Sequence, residues 1–104
     1  MSYGRSSACK KLLAMPRIRE VQLKEQWEEE DISLNRTQNI EAILGYSRGV
    51  VLDGLNKCEE CQGKGKPFAE CVVVHEFFSG SCTGCHYNSQ GSKCGLRPGQ
   101  YNIF

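Results

Sequence analysis

Six of the seven cysteines fall in the order Cys58-x2-Cys61-x9-Cys71-x10-Cys82-x2-Cys85-x8-Cys94. No other feature of the chain restricts its fold as strongly. Two C-x2-C pairs twenty residues apart match the spacing of a thiolate zinc site. A two-residue gap lets a tight turn aim two sulfurs at one ion at about 2.3 Å, and a second such turn completes the tetrahedron. Gly63 and Gly84 stand where those turns need a permissive backbone. Cys71 and Cys94 follow their pairs at similar distances, so the stretch reads as two pseudo-repeats. Four cysteines satisfy one ion. Six satisfy two if a pair of sulfurs bridges, and by order that pair is Cys58 and Cys82. The expected ligands are Cys58, Cys61, Cys71, Cys82, Cys85 and Cys94, with two Zn2+ favoured over one. His86, beside Cys85, and His75 are candidates to replace or orient a ligand. Cys9 stands apart as an ordinary thiol.

Composition explains why a metal staple suits this chain. With 104 residues, 39% hydrophobic, it buries a thin core for its entropy cost, and below that size range staples are common. The cysteines are read as ligands because the start of the chain shows no apolar stretch with a small-residue cleavage site, which predicts an intracellular protein, nuclear or cytoplasmic, where disulfides are rare. No stretch approaches the roughly 20 apolar residues of a membrane span.

The two halves differ in kind. Residues 1–57 hold Trp27 and most long aliphatic side chains, and predict helices near 16–30 and 36–47. In the first, Pro16 opens a segment in which Ile18, Val21, Leu23 and Trp27 recur at roughly helical spacing. In the second, Asn35 or Thr37 is the expected N-cap, with Ile40, Ile43 and Leu44 on one face. A short helix capped by Ser6 or Ser7 precedes both. Val50-Val51-Leu52 and the run from Val72 to Phe78 read as extended. Residues 58–97 form the six-cysteine module and 98–104 a tail. The expected fold is a small metal-stabilised α-rich domain: N-terminal helices, then a loop-rich cysteine cluster with at most short strands. Glu28-Glu29-Glu30-Asp31 reads as a solvated helix end or as an acidic docking surface.

The cysteine order is similar to that of the fungal binuclear zinc cluster of transcription regulators. That resemblance implies DNA binding, with Lys64, Lys66 and Arg97 as phosphate contacts. The chain more closely resembles a fungal cysteine-rich family of unknown function. The shared residues are Cys58-x2-Cys61, Gly65-Lys66-Pro67-Phe68, Cys71-Val72-Val73, Gly80-Ser81-Cys82, Cys85-His86-Tyr87 and Cys94-x2-Arg97, with Arg48-Gly49 upstream. This likeness spans about residues 36–97 and implies a small metal-binding module with no assigned reaction.

Charge separates the two implications. Residues 58–104 balance four cations against four anions. Six thiolates on two divalent ions, or four on one, then leave about −2. Affinity for a polyanion comes chiefly from neutralising phosphates, so this balance favours a protein partner, or a second copy of the chain, over DNA. Phe68, Phe77, Phe78 and Tyr87 are the aromatic candidates for such contact. No small-molecule substrate and no catalysis are expected, because a closed thiolate shell leaves no open position for water.

Overall fold

The protein is described by a computed structural model over residues 6–63, 66–91 and 94–96. Lys64, Gly65, Lys93, Arg97 and the predicted tail at 98–104 lie outside the described residues. Helix α1 spans Ser7–Leu13, and the Ser6 hydroxyl caps it by accepting the Cys9 N–H at 3.0 Å. Cys9 and Leu12 are its buried residues.

The helix predicted at 16–30 does not form. This segment runs as an extended strap over the domain, with a 3-10 turn at Glu29–Asp31. Its apolar spacing contains a step of two between Val21 and Leu23, which suits extended backbone and breaks a helical stripe. Tertiary partners then take its backbone groups. Ile18 and Arg19 donate to the Ser47 carbonyl, one of the carbonyls left open at a helix C-terminus. Lys24 N–H donates to Pro67 O at 2.8 Å and Ala69 N–H to Gln22 O at 2.9 Å, around a bridge between Leu23 and Phe68. Ile18, 59% exposed, packs into no stripe at all.

Helix α2 covers Thr37–Arg48, close to the predicted 36–47. Neither Asn35 nor Thr37 caps it. Arg36 holds the N-cap position and makes no side-chain bond there. Of the expected face Ile40 is buried and Ile43 packs against the core, but the most deeply buried positions are Asn39, Ala42 and Tyr46, which the apolar pattern does not mark. After Arg48 the chain passes under a two-stranded antiparallel ribbon, β1 (Val50–Leu52) and β2 (Cys71–Val73). A Cβ on Gly49 would lie 2.3 Å from Val73 O, so only glycine fits beneath that strand. The strand predicted through Phe78 stops at Val73, and Glu76, Phe78 and Ser79 take left-handed backbone beyond it. Helix α3, Thr83–His86, carries the second cysteine pair.

The ribbon divides the interior. Its register pairs Leu52 with Cys71 and Val51 with Val72. Side chains alternate across a strand, so Cys71, Val73 and Leu52 face a cluster of cysteine sulfurs, while Val72 and Val51 face an aromatic cluster of Tyr46, Phe68 and Tyr87 with Ala42. The result matches the expected class: three α-helices and two short strands among the described residues, with a cysteine cluster in the C-terminal part. Phe68 and Tyr87 are buried in this second cluster, 2% and 1% exposed, whereas Phe77 and Phe78 are half-buried.

Candidate metal centre

The six cysteines from Cys58 to Cys94 converge and are all buried. Three local structures deliver five of them. A turn and the 3-10 helix Glu60–Gln62 carry Cys58 and Cys61, β2 carries Cys71, and α3 with its N-cap carries Cys82 and Cys85. Cys94 follows the last turn. The two cysteine turns touch closely at Gly84, where a Cβ would sit 3.1 Å from Cys61 Cβ. Gly63, by contrast, has φ −68°, which any residue adopts.

The sulfurs fall into two groups. Cys58, Cys82, Cys85 and Cys94 lie mutually within 4.8 Å, and so do Cys61, Cys71 and Cys82. Cys82 belongs to both. The first cysteine pair is therefore split between the groups, so the four residues of the two C-x2-C pairs do not form one site. Within the first group Cys58 Sγ lies 3.6 Å from Cys85 Sγ and 3.5 Å from Cys94 Sγ, and Cys94 Sγ is 3.8 Å from Cys82 Sγ. A tetrahedron of thiolates about 2.3 Å from an ion has edges of about 3.8 Å. A disulfide would need about 2.05 Å, and all seven cysteines are free thiols. Soft donors, burial and edge lengths all fit a bound metal ion.

The pseudo-repeat of the sequence reappears as a repeated hydrogen bond. Cys58 N–H points to Cys71 Sγ at 3.4 Å, and Cys82 N–H points to Cys94 Sγ at 3.3 Å. In each half the first cysteine's backbone supports the third cysteine's sulfur. Gly95 N–H adds a bond to Cys58 Sγ at 3.3 Å.

Electrostatics shows what this cluster lacks without a cation. The bond from the Cys61 thiol pulls Cys71 down to about 3 and pushes Cys61 itself up to about 12. The Cys82 thiol, with Cys85, pulls Cys94 down to about 2. Cys82 is pushed far up by its bonds to Cys61, Cys71 and the other sulfurs. At Cys85 the lowering effect of Cys82 is outweighed by the Cys94 bond and burial, so it too rises. Neighbouring sulfurs thus share protons because the buried site cannot carry six uncompensated charges. A divalent ion held here would take the place of those protons and offset part of the charge.

Lys24 lies against this site from the strap. Its Nζ donates to Cys61 O at 2.8 Å and to Gly63 O at 2.6 Å. Burial lowers its pKa, and the nearby cysteine sulfurs oppose that shift. Sequence reasoning missed Lys24 because it assigned the residue to a helix. It also missed Glu41 and Asn39. Glu41 joins α1, α2 and α3, accepting from Ser6 Oγ at 2.8 Å while its other oxygen meets His86 Nε2 at 2.6 Å. The His86 ring stacks on Phe78 with centroids 4.0 Å apart. Neither histidine is in the sulfur groups, and the His75 side chain is 94% exposed.

Of the three cations suggested for nucleic acid, Lys66 is only 8% exposed. Lys64 and Arg97 lie outside the described residues. No helix among the described residues is long and apolar enough to cross a membrane.

A family model described as a protein of unknown function (DUF3716) matches residues 42–97. That is over half of the chain and spans the ribbon, α3 and every clustered cysteine, so the chain belongs to this family. No curated protein and no solved structure matches it significantly.

Proposed function

We propose that this family member is a non-catalytic zinc module in which two ions hold the cysteine side of the interior together and support a surface for binding another protein. The observation that carries the metal reading is the membership of Cys82 in both sulfur groups. Cys58, Cys82, Cys85 and Cys94 would hold one ion. Cys61, Cys71 and Cys82 would supply three ligands for the second, and Cys58, which lies outside that group, would have to close on it as the second bridging sulfur that the cysteine order suggests. Zinc suits the all-thiolate donor set, since it accepts four sulfurs in a tetrahedron without redox chemistry. In the bridged arrangement each ion has four thiolates, a closed shell that offers water no coordination site, so its role is structural.

The protein-binding reading is supported by charge. A module near −2, with Lys66 buried, has little to offer a polyanion. The alternative reading, a divergent zinc-cluster regulator of DNA, requires Lys64 and Arg97 to supply the phosphate contacts.

Native mass spectrometry of the full chain tests the centre, with two zinc ions per chain expected. One ion would overturn the bridged arrangement, and none would overturn the metal reading. Duplex DNA binding that falls steeply with salt and is lost in Lys64→Glu would transfer the assignment to the regulator.

A further inference from the structure

The strap that replaces the predicted helix leaves a trough between itself and α2. Val21, Leu23, Trp27, Ile32, Leu34 and Ile43 line it, over Phe68, and its volume is about 580 Å3. Val21 is 38% and Leu34 41% exposed, so the apolar wall is open to solvent. A small apolar molecule would stay too exposed here, since ligand pockets bury about 70–90% of their occupants. An extended segment of another chain covers such a trough better.

One rim of the trough is acidic. Glu28 and Glu29 line it, and Glu30 and Asp31 continue the same turn. Asp31 accepts the Glu28 N–H at 2.8 Å and so fixes the turn that presents the other carboxylates. Among the described residues Glu29 and Glu30 have no ion-pair partner, and Lys24, the cation nearest in sequence, is committed to the carbonyls of Cys61 and Gly63. Four successive acids beside an apolar floor select against several occupants. DNA is repelled. A second copy docking symmetrically would bring the same acidic turn against itself.

We infer that this trough docks a short peptide segment whose large apolar side chains are flanked by Lys or Arg. The inference rests on the protein-binding reading above and names its surface and partner chemistry. Apolar side chains fill the space over Phe68, and the flanking cations pair with Glu28, Glu29 and Glu30 across the rim.

The test pans a phage-displayed library of short random peptides on the zinc-loaded full chain, then measures recovered peptides by fluorescence anisotropy. Recovered sequences should combine large apolar residues with flanking Lys or Arg. Their affinity should fall about tenfold in Leu34→Glu and in Val21→Glu, and about threefold in a Glu29→Lys, Glu30→Lys double variant. Unchanged zinc content and circular dichroism establish that each variant is folded. Peptides that are acidic, or indifferent to all these variants, overturn the trough while leaving protein binding in place. Self-association abolished by Leu34→Glu makes a second copy the occupant and also overturns it. Recovery of no peptide overturns it as well, and if that preparation retains duplex DNA the protein-binding reading falls too.

Discussion

Replacing single cysteines should give unequal losses, because the six sulfurs hold unequal positions. Cys82 is in both groups, whereas Cys61 is in only one. Cys82→Ser should therefore cost both metal ions, Cys61→Ser one, and Cys9→Ser, in α1 away from the cluster, none. Metal content by native mass spectrometry distinguishes the three, and equal losses from Cys61→Ser and Cys82→Ser would remove the shared ligand. Lys24 acts one shell further out. Groups that orient metal ligands typically change affinity about 10- to 100-fold when removed. Lys24→Met removes both bonds to the Cys61 turn and the charge beside the thiolates, so competition against a chelator should show affinity at least about tenfold weaker. The cysteines were legible in the sequence because thiolates at fixed spacings have one economical use in a reduced chain. Lys24, Glu41 and Asn39 were not, because each acts on a residue far away in the sequence, and spacing records only near neighbours.

Helix α2 was readable because its end signals and apolar residues agree, whereas the strap was misread because tertiary partners outweighed a weak periodicity. The strap's N–H groups meet carbonyls of Ser47 and Pro67, and no local pattern announces that. What holds strap, α2 and the loop after α3 together is Asn39. Its side chain donates to Ser33 O and Asn88 Oδ1, each at 3.1 Å, and accepts the Asn88 N–H at 2.6 Å. Asn39→Ala would leave buried polar groups unpaired, which costs about 1–3 kcal/mol. Urea unfolding of the metal-loaded protein should show this as a lower midpoint with unchanged slope, and an unchanged midpoint would mean that water replaces the side chain. Gly49 sets the other joint. With Val73 O 2.3 Å from any added Cβ, Gly49→Ala must push β2 away from α2. The cost of such overpacking is about 1–3 kcal/mol or more.

For the molecule as a whole, the division of the ribbon into a sulfur face and an aromatic face determines how it unfolds. Cys71 and Val72 are consecutive residues of one strand, and they serve different clusters. Cys85 and Tyr87 make the same link through α3 and the turn after it. Neither cluster can lose its packing without moving the backbone that carries the other. Structural zinc supplies about 10–16 kcal/mol in comparable peptides, similar to or above the whole stability of a small domain. A strong chelator should therefore unfold residues 58–94 and also collapse the aromatic cluster and loosen α2, although α2 contributes no sulfur. Two optical signals report the far side of the ribbon: the near-ultraviolet dichroism of Trp27 set edge-on to Tyr87 at 6.3 Å, and the helical signal at 222 nm, to which α2 contributes most. Both should vanish with metal release in one transition and return together when zinc is restored. Loss of the metal with the Trp27 signal intact would mean that the aromatic cluster folds alone, and that the ions staple only the loops around them.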